Sequence, residues 1–343
     1  ALREATSVLE ARPASTAALL VKSEAEERSG QRDAAIATLE VARRATEDAT
    51  TVLLALADLV GRGEDEDAAL KGAMELYEQV LSADAKNTRA LYGKAWVLER
   101  LTKFEEAEAI YREVAQYLPV DPSVVESVGY MLFQQGRISD AQVQFKKAID
   151  LDPEYASAYA NLGATYDAKA EYQKAIDWYE KLLELRGQDE NLRALVNLAF
   201  DHEQLGSFPK AEKYLRQAHE ISPKDADILT WLGDNLYFQE KWKDAQKAYL
   251  KAIDLDEKSF FAWRGLGYAL GQRERWSDAA AALEKARELK PDDLDLLLTL
   301  AGIYLEEVED LEAALKAFEE YGQHGGDEPD IPALITEIKK QLE

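Results

Sequence analysis

The sequence has no cysteine, and this absence excludes several classes of functional site. None of its 343 residues can form a disulfide, act as a thiol nucleophile or ligate zinc or an iron–sulfur cluster through sulfur. Histidine is almost as scarce, since only His202, His219 and His324 occur, and no metalloprotease, serine-hydrolase or nucleotide-binding motif is present. The position of His202 predicts a packing role and that of His219 a surface role. We therefore predict no metal, no cofactor and no enzymatic activity for this chain.

Positive charge is also in short supply. The chain has 41 Lys and Arg against 66 Asp and Glu, a net charge of −25. Nucleic acids and anionic membrane surfaces both attract clustered basic side chains, so we expect neither as a partner. The longest apolar run, Leu296 to Leu305, is too short to span a bilayer, which predicts no direct membrane insertion.

The start of the chain bears on the expected compartment. The first residue is Ala1 rather than Met, and no apolar signal region follows it. We therefore expect a fragment or a processed product. A cysteine-free chain is stable in either redox environment. We expect a cytoplasmic protein, or a bacterial periplasmic one if an export signal has been removed.

An alanine recurs along the chain at nearly constant spacing. The intervals between successive copies are 34, 38, 34, 34, 34, 36, 34, 34 and 35 residues. The copies are Ala1, Ala35, Ala73, Ala107, Ala141, Ala175, Ala211, Ala245, Ala279 and Ala314. Nine of the ten are followed four residues later by Leu, Tyr or Phe, and five of the nine prolines lie twelve residues after a copy. The chain is therefore built from internal repeats.

A second pattern precedes each of these alanines. One copy reads Trp263, Leu266-Gly267 and Leu270, followed by Ala279, Leu283, Ala286 and Pro291. This pattern resembles the tetratricopeptide repeat, a helix–turn–helix unit of 34 residues. The resemblance extends over about 320 residues, as nine tandem repeats. It implies an all-α fold, a right-handed superhelical solenoid of antiparallel helix pairs with a C-terminal capping helix.

The physical pattern agrees with this resemblance. Large residues in each first helix recur at i, i+3, i+4 and i+7, which places them on one face. A small residue at the eighth position of the first helix is expected to let the second helix approach closely. These residues are Gly129, Gly163, Ala199, Gly233 and Gly267. The periodic proline ends the second helix, because it cannot continue the hydrogen-bond ladder.

We predict one solenoid over residues 1–343, with a lone N-terminal helix at 1–12 and a capping helix at 330–343. The predicted repeats are 14–49, 50–86, 88–121, 122–155, 156–190, 191–225, 226–259, 260–293 and 294–323. Residues 1–12 fit either half of a repeat or an N-terminal cap. The apolar stripe of 330–343 fits a docked cap better than a partner-binding tail. The acidic segments Gly61–Asp67 and Glu306–Asp310 lack the spacing of a calcium loop, which predicts solvated loops.

The resemblance also implies where a partner would bind. In this family the first helices line a concave surface, and aromatic side chains are frequent anchors of protein interfaces. The predicted partner-binding residues are Arg89, Tyr92, Trp96, Tyr130, Phe133, Asn161, Arg193, Asn197, Phe200, Trp231, Tyr237, Phe261, Arg264 and Tyr268. Asn161 and Asn197 occupy equivalent positions, which the resemblance associates with holding a peptide backbone. Each aromatic residue could instead pack between adjacent first helices.

We predict a non-enzymatic scaffold or adaptor that binds a protein or peptide segment in the concave groove. The alternative is a substrate-selecting, non-catalytic arm of a larger enzyme such as a glycosyltransferase. Self-association through the convex face or an open end is a further possibility. The Lys and Asn pair with which chaperone-binding relatives hold a terminal carboxylate is absent from every repeat. The net charge suggests a partner that is basic or is recognised through apolar anchors.

Overall fold

The described residues are helical throughout. A computed structural model describes residues 2–12, 14–63, 65–188 and 190–343, and these residues form α-helices, one π-helical segment and no strand. The α-helices are α1 Leu2–Ala11, α2 Thr16–Arg28, α3 Arg32–Ala45, α4 Thr50–Val60, α5 Glu66–Ala83, α6 Thr88–Arg100, α7 Phe104–Tyr117, α8 Pro122–Gln134, α9 Ile138–Leu151, α10 Ala156–Asp167, α11 Tyr172–Glu184, α12 Leu192–Gln204, α13 Phe208–Ile221, α14 Ala226–Phe238, α15 Trp242–Leu255, α16 Phe260–Gly271, α17 Trp276–Leu289, α18 Leu294–Gly302, α19 Leu311–Gln323 and α20 Ile331–Leu342. The all-α prediction is confirmed.

The chain forms two compact units, residues 1–165 (unit 1) and 166–343 (unit 2). Within each unit, helices that follow one another in sequence pack together, as α6 does on α7 in unit 1 and α14 on α15 in unit 2. Each helix buries one apolar face in this way, which a single helix pair could not do alone. The division into nine repeats and the description as a single solenoid stay predictions.

The same kinds of N-cap and turn occur at several helix pairs. Several first helices begin at a side-chain cap: Asn87 accepts a hydrogen bond from the N–H of Ala90 at 3.1 Å, and Asn191 accepts one from Ala194 at 3.0 Å. The turn before the second helix holds a residue in the left-handed region, with φ of 75° at Gly136 and 60° at Glu240. For Glu240 this conformation costs roughly 1 kcal/mol, which the packing of the two helices must offset.

Close packing between first and second helices depends on glycine. The ring of Tyr249 in α15 lies between Gly233 of α14 and Gly265 of α16. A Cβ atom would be 2.6 Å from that ring at Gly233 and 2.4 Å from it at Gly265, so neither glycine can be replaced without movement. The predicted role of the small residue is confirmed here and at Gly129, where a Cβ would be 2.8 Å from Phe145.

Two predicted loops are partly helical. Helix α5 begins at Glu66, and Asp65 caps it by accepting a hydrogen bond from the N–H of Ala68 at 3.2 Å. Glu64 lies outside the described residues. Acidic side chains stabilise a helix N-terminus, which explains why this end of the acidic segment is helical. Likewise a π-helical segment, Ile303–Val308, extends α18 into the second predicted loop.

The ends of the chain are docked on their neighbours. Helix α1 packs on α2, while Pro13 lies outside the described residues. Helix α20 packs on α19 through Ile338, which is 1% exposed and lies in a cluster with Phe318. A docked apolar face of this kind is what the capping prediction requires. No helix among the described residues has the length and apolarity needed to cross a membrane.

Candidate functional site

Unit 1 contains a pocket at the predicted partner-binding face. Arg89, Tyr92 and Trp96 of α6 line a cavity of about 530 Å³, together with Asp58 and Arg62. The structure therefore brings three of the predicted residues together.

Both arginines of this pocket are paired within the chain. The Arg89 guanidinium lies 2.6 Å from Oδ2 of Asp58, and the Tyr77 hydroxyl donates to Oδ1 of the same carboxylate at 2.6 Å. Arg62 pairs with Glu27 at 2.9 Å. The pocket of unit 1 thus supplies its own cations.

The other predicted residues of unit 1 are at least partly engaged. The Tyr92 ring contacts Tyr111 edge-on, with 5.0 Å between ring centres, and its hydroxyl lies 3.0 Å from Oγ of Ser127. The Asn161 side chain donates to Glu126 at 2.5 Å. Trp96, Tyr130 and Phe133 are half-buried. A partner that used Asn161 would have to compete with Glu126.

Unit 2 contains a smaller pocket of different character. Asn197, Phe200 and Trp231 line a cavity of about 280 Å³, with Glu203 and the apolar residues Val196, Ala199 and Leu215. Phe200 is 49% exposed and Trp231 is 43% exposed, so both rings face solvent as well as the pocket. The Phe200 ring contacts Tyr172 edge-on at 6.2 Å. Three predicted residues again come together, here on an open apolar surface.

The carboxylate of this pocket has no basic partner. Oε1 of Glu203 accepts a hydrogen bond from the Asn235 side chain at 2.6 Å. Burial raises the pKa of Glu203 above its ordinary value, and the nearby charge of Asp234 raises it further. No Lys or Arg within the described ranges forms an ion pair with Glu203.

A third group of predicted residues surrounds an arginine. The Arg264 guanidinium lies 5.3 Å from the ring centres of Phe260 and Phe261 and 6.0 Å from that of Tyr268. Phe261 is 60% exposed. Arg264 also acts on Asp234, where it opposes the rise in pKa that burial causes. On the surface of unit 2, the guanidinium of Arg264 therefore lies among aromatic rings and interacts with the charge of Asp234.

Arg193 and Tyr237 of unit 2 lie outside these groups, and Asn197 makes a contact besides those of the pocket. Arg193 is exposed, and the Tyr237 hydroxyl accepts a hydrogen bond from Gln272 at 3.3 Å. Asn197 bonds with Tyr179, a contact that lowers the pKa of that phenol while burial raises it more strongly. Phe238, which the sequence analysis does not select, is 64% exposed.

Sequence reasoning missed a set of half-buried carboxylates on the first helices. Tyrosines of second helices donate to carboxylates of first helices, as Tyr111 does to Glu99 at 3.1 Å and Tyr179 to Asp167 at 2.6 Å. The signal was present, because Glu99, Asp167 and Glu203 each occupy the twelfth position of a first helix.

Asp201 is the extreme case. It is 0% exposed, and among the described residues its carboxyl group has no hydrogen-bond partner other than the adjacent carboxyl group of Asp167. Burial, then the adjacent Asp167, raises the pKa of Asp201 to about 9. A proton shared by the two carboxyl groups is therefore retained at neutral pH.

The histidines show no catalytic arrangement. His202 is buried and stacks on Tyr214, with 5.6 Å between ring centres, as its predicted packing role requires, but neither ring nitrogen has a hydrogen-bond partner among the described residues. His219 is half-buried rather than on the surface as predicted, because it lies on the flank of α13. In the part of the chain that the structure describes, no group of three or more His, Asp and Glu is placed to hold a metal ion.

Comparisons with known proteins extend the repeat pattern to most of the chain. Five models described as tetratricopeptide repeats match residues 66–126 and 272–338, 129–169, 158–193, 190–258 and 231–293. The crystal structure of the C-terminal part of a TPR repeat-containing protein from Cytophaga hutchinsonii is similar, with a TM-score of 0.59 and 18% identity. That similarity covers 72% of this chain and 99% of the other, and it shows the fold.

Two relatives show how far the similarity extends in sequence. The TPR repeat-containing protein YpiA of Bacillus subtilis is 23% identical over 276 residues, which cover 79% of this chain and 64% of YpiA. The anaphase-promoting complex subunit CDC16 of Saccharomyces cerevisiae is 26% identical over 190 residues, which cover 54% of this chain and 22% of that subunit. The chain thus spans less than two thirds of either relative. The recurring sequence pattern, the packed helix pairs and these matches show that the chain belongs to the tetratricopeptide repeat family.

Proposed function

We propose that this protein is a non-enzymatic scaffold that binds a segment of a partner protein along the surface of its first helices. The exposed aromatic rings of unit 2 carry the proposal. Phe200, Trp231 and Phe261 each expose more than two fifths of their surface, on successive first helices. Burying such rings against a partner removes apolar surface from water, which favours binding. Interface hot spots are also rich in aromatic residues.

The name of one relative also supports a binding role. CDC16, which is similar over part of its length, is named as a subunit of a multiprotein complex. The alternative of a substrate-selecting arm of a larger enzyme stays a prediction, as does self-association.

Affinity capture with a matched pair of variants tests the proposal. The binding variant replaces Phe200, Trp231 and Phe261 by Ala. The control variant replaces Val41, Val120 and Val143, which are at least as exposed but lie outside both pockets, by Ala. Proteins captured from the source organism are quantified by mass spectrometry. We expect the binding variant to lose partners that the wild type and the control retain.

The helical content of all three proteins must agree, which circular dichroism measures. If the binding variant and the control retain the same partners, the assignment of binding to this surface is wrong.

A further inference from the structure

The pocket of unit 2 contains a negative charge that the described part of the chain does not neutralise. Glu203 accepts its hydrogen bond from Asn235, a neutral amide, and its charged neighbour Asp234 is also acidic. The described lining residues of this pocket include no Lys or Arg. A carboxylate that is partly withdrawn from water is stabilised when a cation approaches it.

The walls of the pocket favour the same kind of ligand. The Phe200 and Trp231 rings are partly exposed at the pocket. An aromatic face attracts Arg and Lys through its quadrupole, most strongly when the pair is shielded from water. The same rings, with Val196 and Leu215, also offer an apolar surface for a neighbouring aliphatic or aromatic side chain.

Elsewhere in unit 2, an arginine of the chain itself already combines with aromatic rings and a carboxylate. The Arg264 guanidinium lies over the Phe260 and Phe261 rings, and its charge acts on Asp234. The pocket at Glu203 presents two aromatic rings and a carboxylate without the arginine.

The pocket of unit 1 supplies the contrast. Arg62 and Arg89 line it, and Arg89 pairs with Asp58 at 2.6 Å. The cation that unit 1 provides internally is missing from the pocket of unit 2. The net charge of −25 further favours approach of a positively charged ligand.

We propose that the pocket of unit 2 binds a basic segment of a partner protein. An arginine or lysine of that segment would lie beside Glu203 and against Trp231, and an adjacent apolar side chain would pack on Phe200. This inference rests on the proposed function and specifies the chemistry of the partner.

The test selects ligands without assuming their identity. Phage that display random octapeptides are selected on the immobilised full chain, and a synthetic, fluorescent copy of the most enriched peptide is titrated by polarisation. We expect enriched peptides to contain Arg or Lys next to Leu, Ile, Phe or Trp. Affinity should fall as sodium chloride rises, because salt screens the new ion pair.

A pair of charge-neutralising variants locates the cation. Glu203→Gln keeps the acceptor for Asn235 and removes the charge, so we expect it to weaken binding by about tenfold or more. Glu184→Gln makes the same change at an exposed position of α11, outside the pocket, and should leave affinity within about twofold of the wild type. Thermal unfolding confirms that both variants are folded.

The outcomes separate this inference from the proposed function. If enriched peptides lack basic residues, or bind Glu203→Gln as tightly as the wild type, the inference is overturned. The proposed function stands in that case if Phe200→Ala and Trp231→Ala abolish binding of the same peptides. If no peptide is enriched, or if enriched peptides bind these two variants like the wild type, both are overturned.

Discussion

Two first helices of unit 1 and two of unit 2 place side chains of opposite character at the same position. The tenth residue of the first helix is Val97 in α6 and Met131 in α8, but Asp201 in α12 and Asn235 in α14. All four side chains are 0% exposed. In α6 and α8 this position extends the apolar core, whereas in α12 and α14 it places a polar group where water cannot reach it. Thr165 of α10 is polar and Ala269 of α16 is apolar at the same position, so the difference belongs to these helices and not to every first helix of a unit.

The pockets differ in the same direction. The cavity of unit 1 has its own arginines, and the cavity of unit 2 has a carboxylate bonded to a neutral amide. Burying a polar or charged group without a full set of partners costs free energy. The comparison therefore teaches that the packing positions fix the repeat fold, while the polar positions on the same helices give each unit its own chemistry.

The largest expected effect comes from replacing Asp201 by Asn, which cannot ionise. Its pKa is raised to about 9, above the value of an unfolded aspartate, because of burial and the adjacent Asp167. The protonated form therefore stabilises the fold fully below about pH 4, and this stabilisation is lost as the pH rises toward 9. The loss amounts to at most about 1.4 kcal/mol per pH unit. Asp201→Asn should flatten this dependence and be more stable than the wild type at pH 9, measured by urea unfolding from pH 5 to 9.

The control for this measurement is Asp227→Asn, which changes an exposed aspartate of the same unit. It should follow the pH dependence of the wild type. If Asp201→Asn shows the same slope as Asp227→Asn, Asp201 does not carry the buried proton and the contrast between the units is weaker than proposed.

A smaller effect distinguishes the two tryptophans. Trp96 is half-buried against the core of unit 1, where its ring would lie 3.0 Å from a Cβ at Gly61. Trp231 is 43% exposed at the pocket of unit 2. We expect Trp96→Ala to lower the free energy of unfolding by about 2–3 kcal/mol and Trp231→Ala by under about 1 kcal/mol. Urea unfolding followed by circular dichroism measures both, and equal losses would contradict the assignment of Trp231 to a binding surface.

The sequence predicts the positions that pack far better than the positions that bind. The residue types of Ala245, Tyr249 and Gly233 recur at equivalent positions of other repeats. Each contact between a first and a second helix needs side chains of similar volume at these positions. Such a constraint repeats with the fold and is visible in one sequence. The docking of α20 through Ile338 is likewise readable from an apolar stripe.

The candidate site is less predictable because exposure depends on neighbours outside the repeat. Trp96 and Phe200 are both the ninth residue of a first helix, yet Trp96 is half-buried against Gly61 while Phe200 is 49% exposed. Which charged side chains pair with each other is harder still to predict from the sequence. Whether a carboxylate such as Asp58 meets an arginine depends on a residue 31 positions away, and no periodic pattern reports it.

The smallest expected effects are changes in the free energy of unfolding that have opposite signs at the two pockets. Asp58→Asn keeps an acceptor for Tyr77 but removes the ion pair with Arg89, so it should lower the free energy of unfolding by up to about 1 kcal/mol. Glu203→Gln keeps the acceptor for Asn235 and removes a charge with no cation beside it, so it should raise the free energy of unfolding by up to about 1 kcal/mol. Urea unfolding at pH 7 in low salt measures both changes.

Salt separates the two causes. In 1 M sodium chloride the penalty for Asp58→Asn should shrink, because the Arg89 side chain is 59% exposed and its ion pair is screened. The gain for Glu203→Gln should persist, since it reflects withdrawal of the carboxylate from water rather than attraction to a distant charge. If both variants change stability in the same direction, the pocket of unit 2 is as fully neutralised as that of unit 1. The reason to expect a basic partner at Glu203 would then disappear.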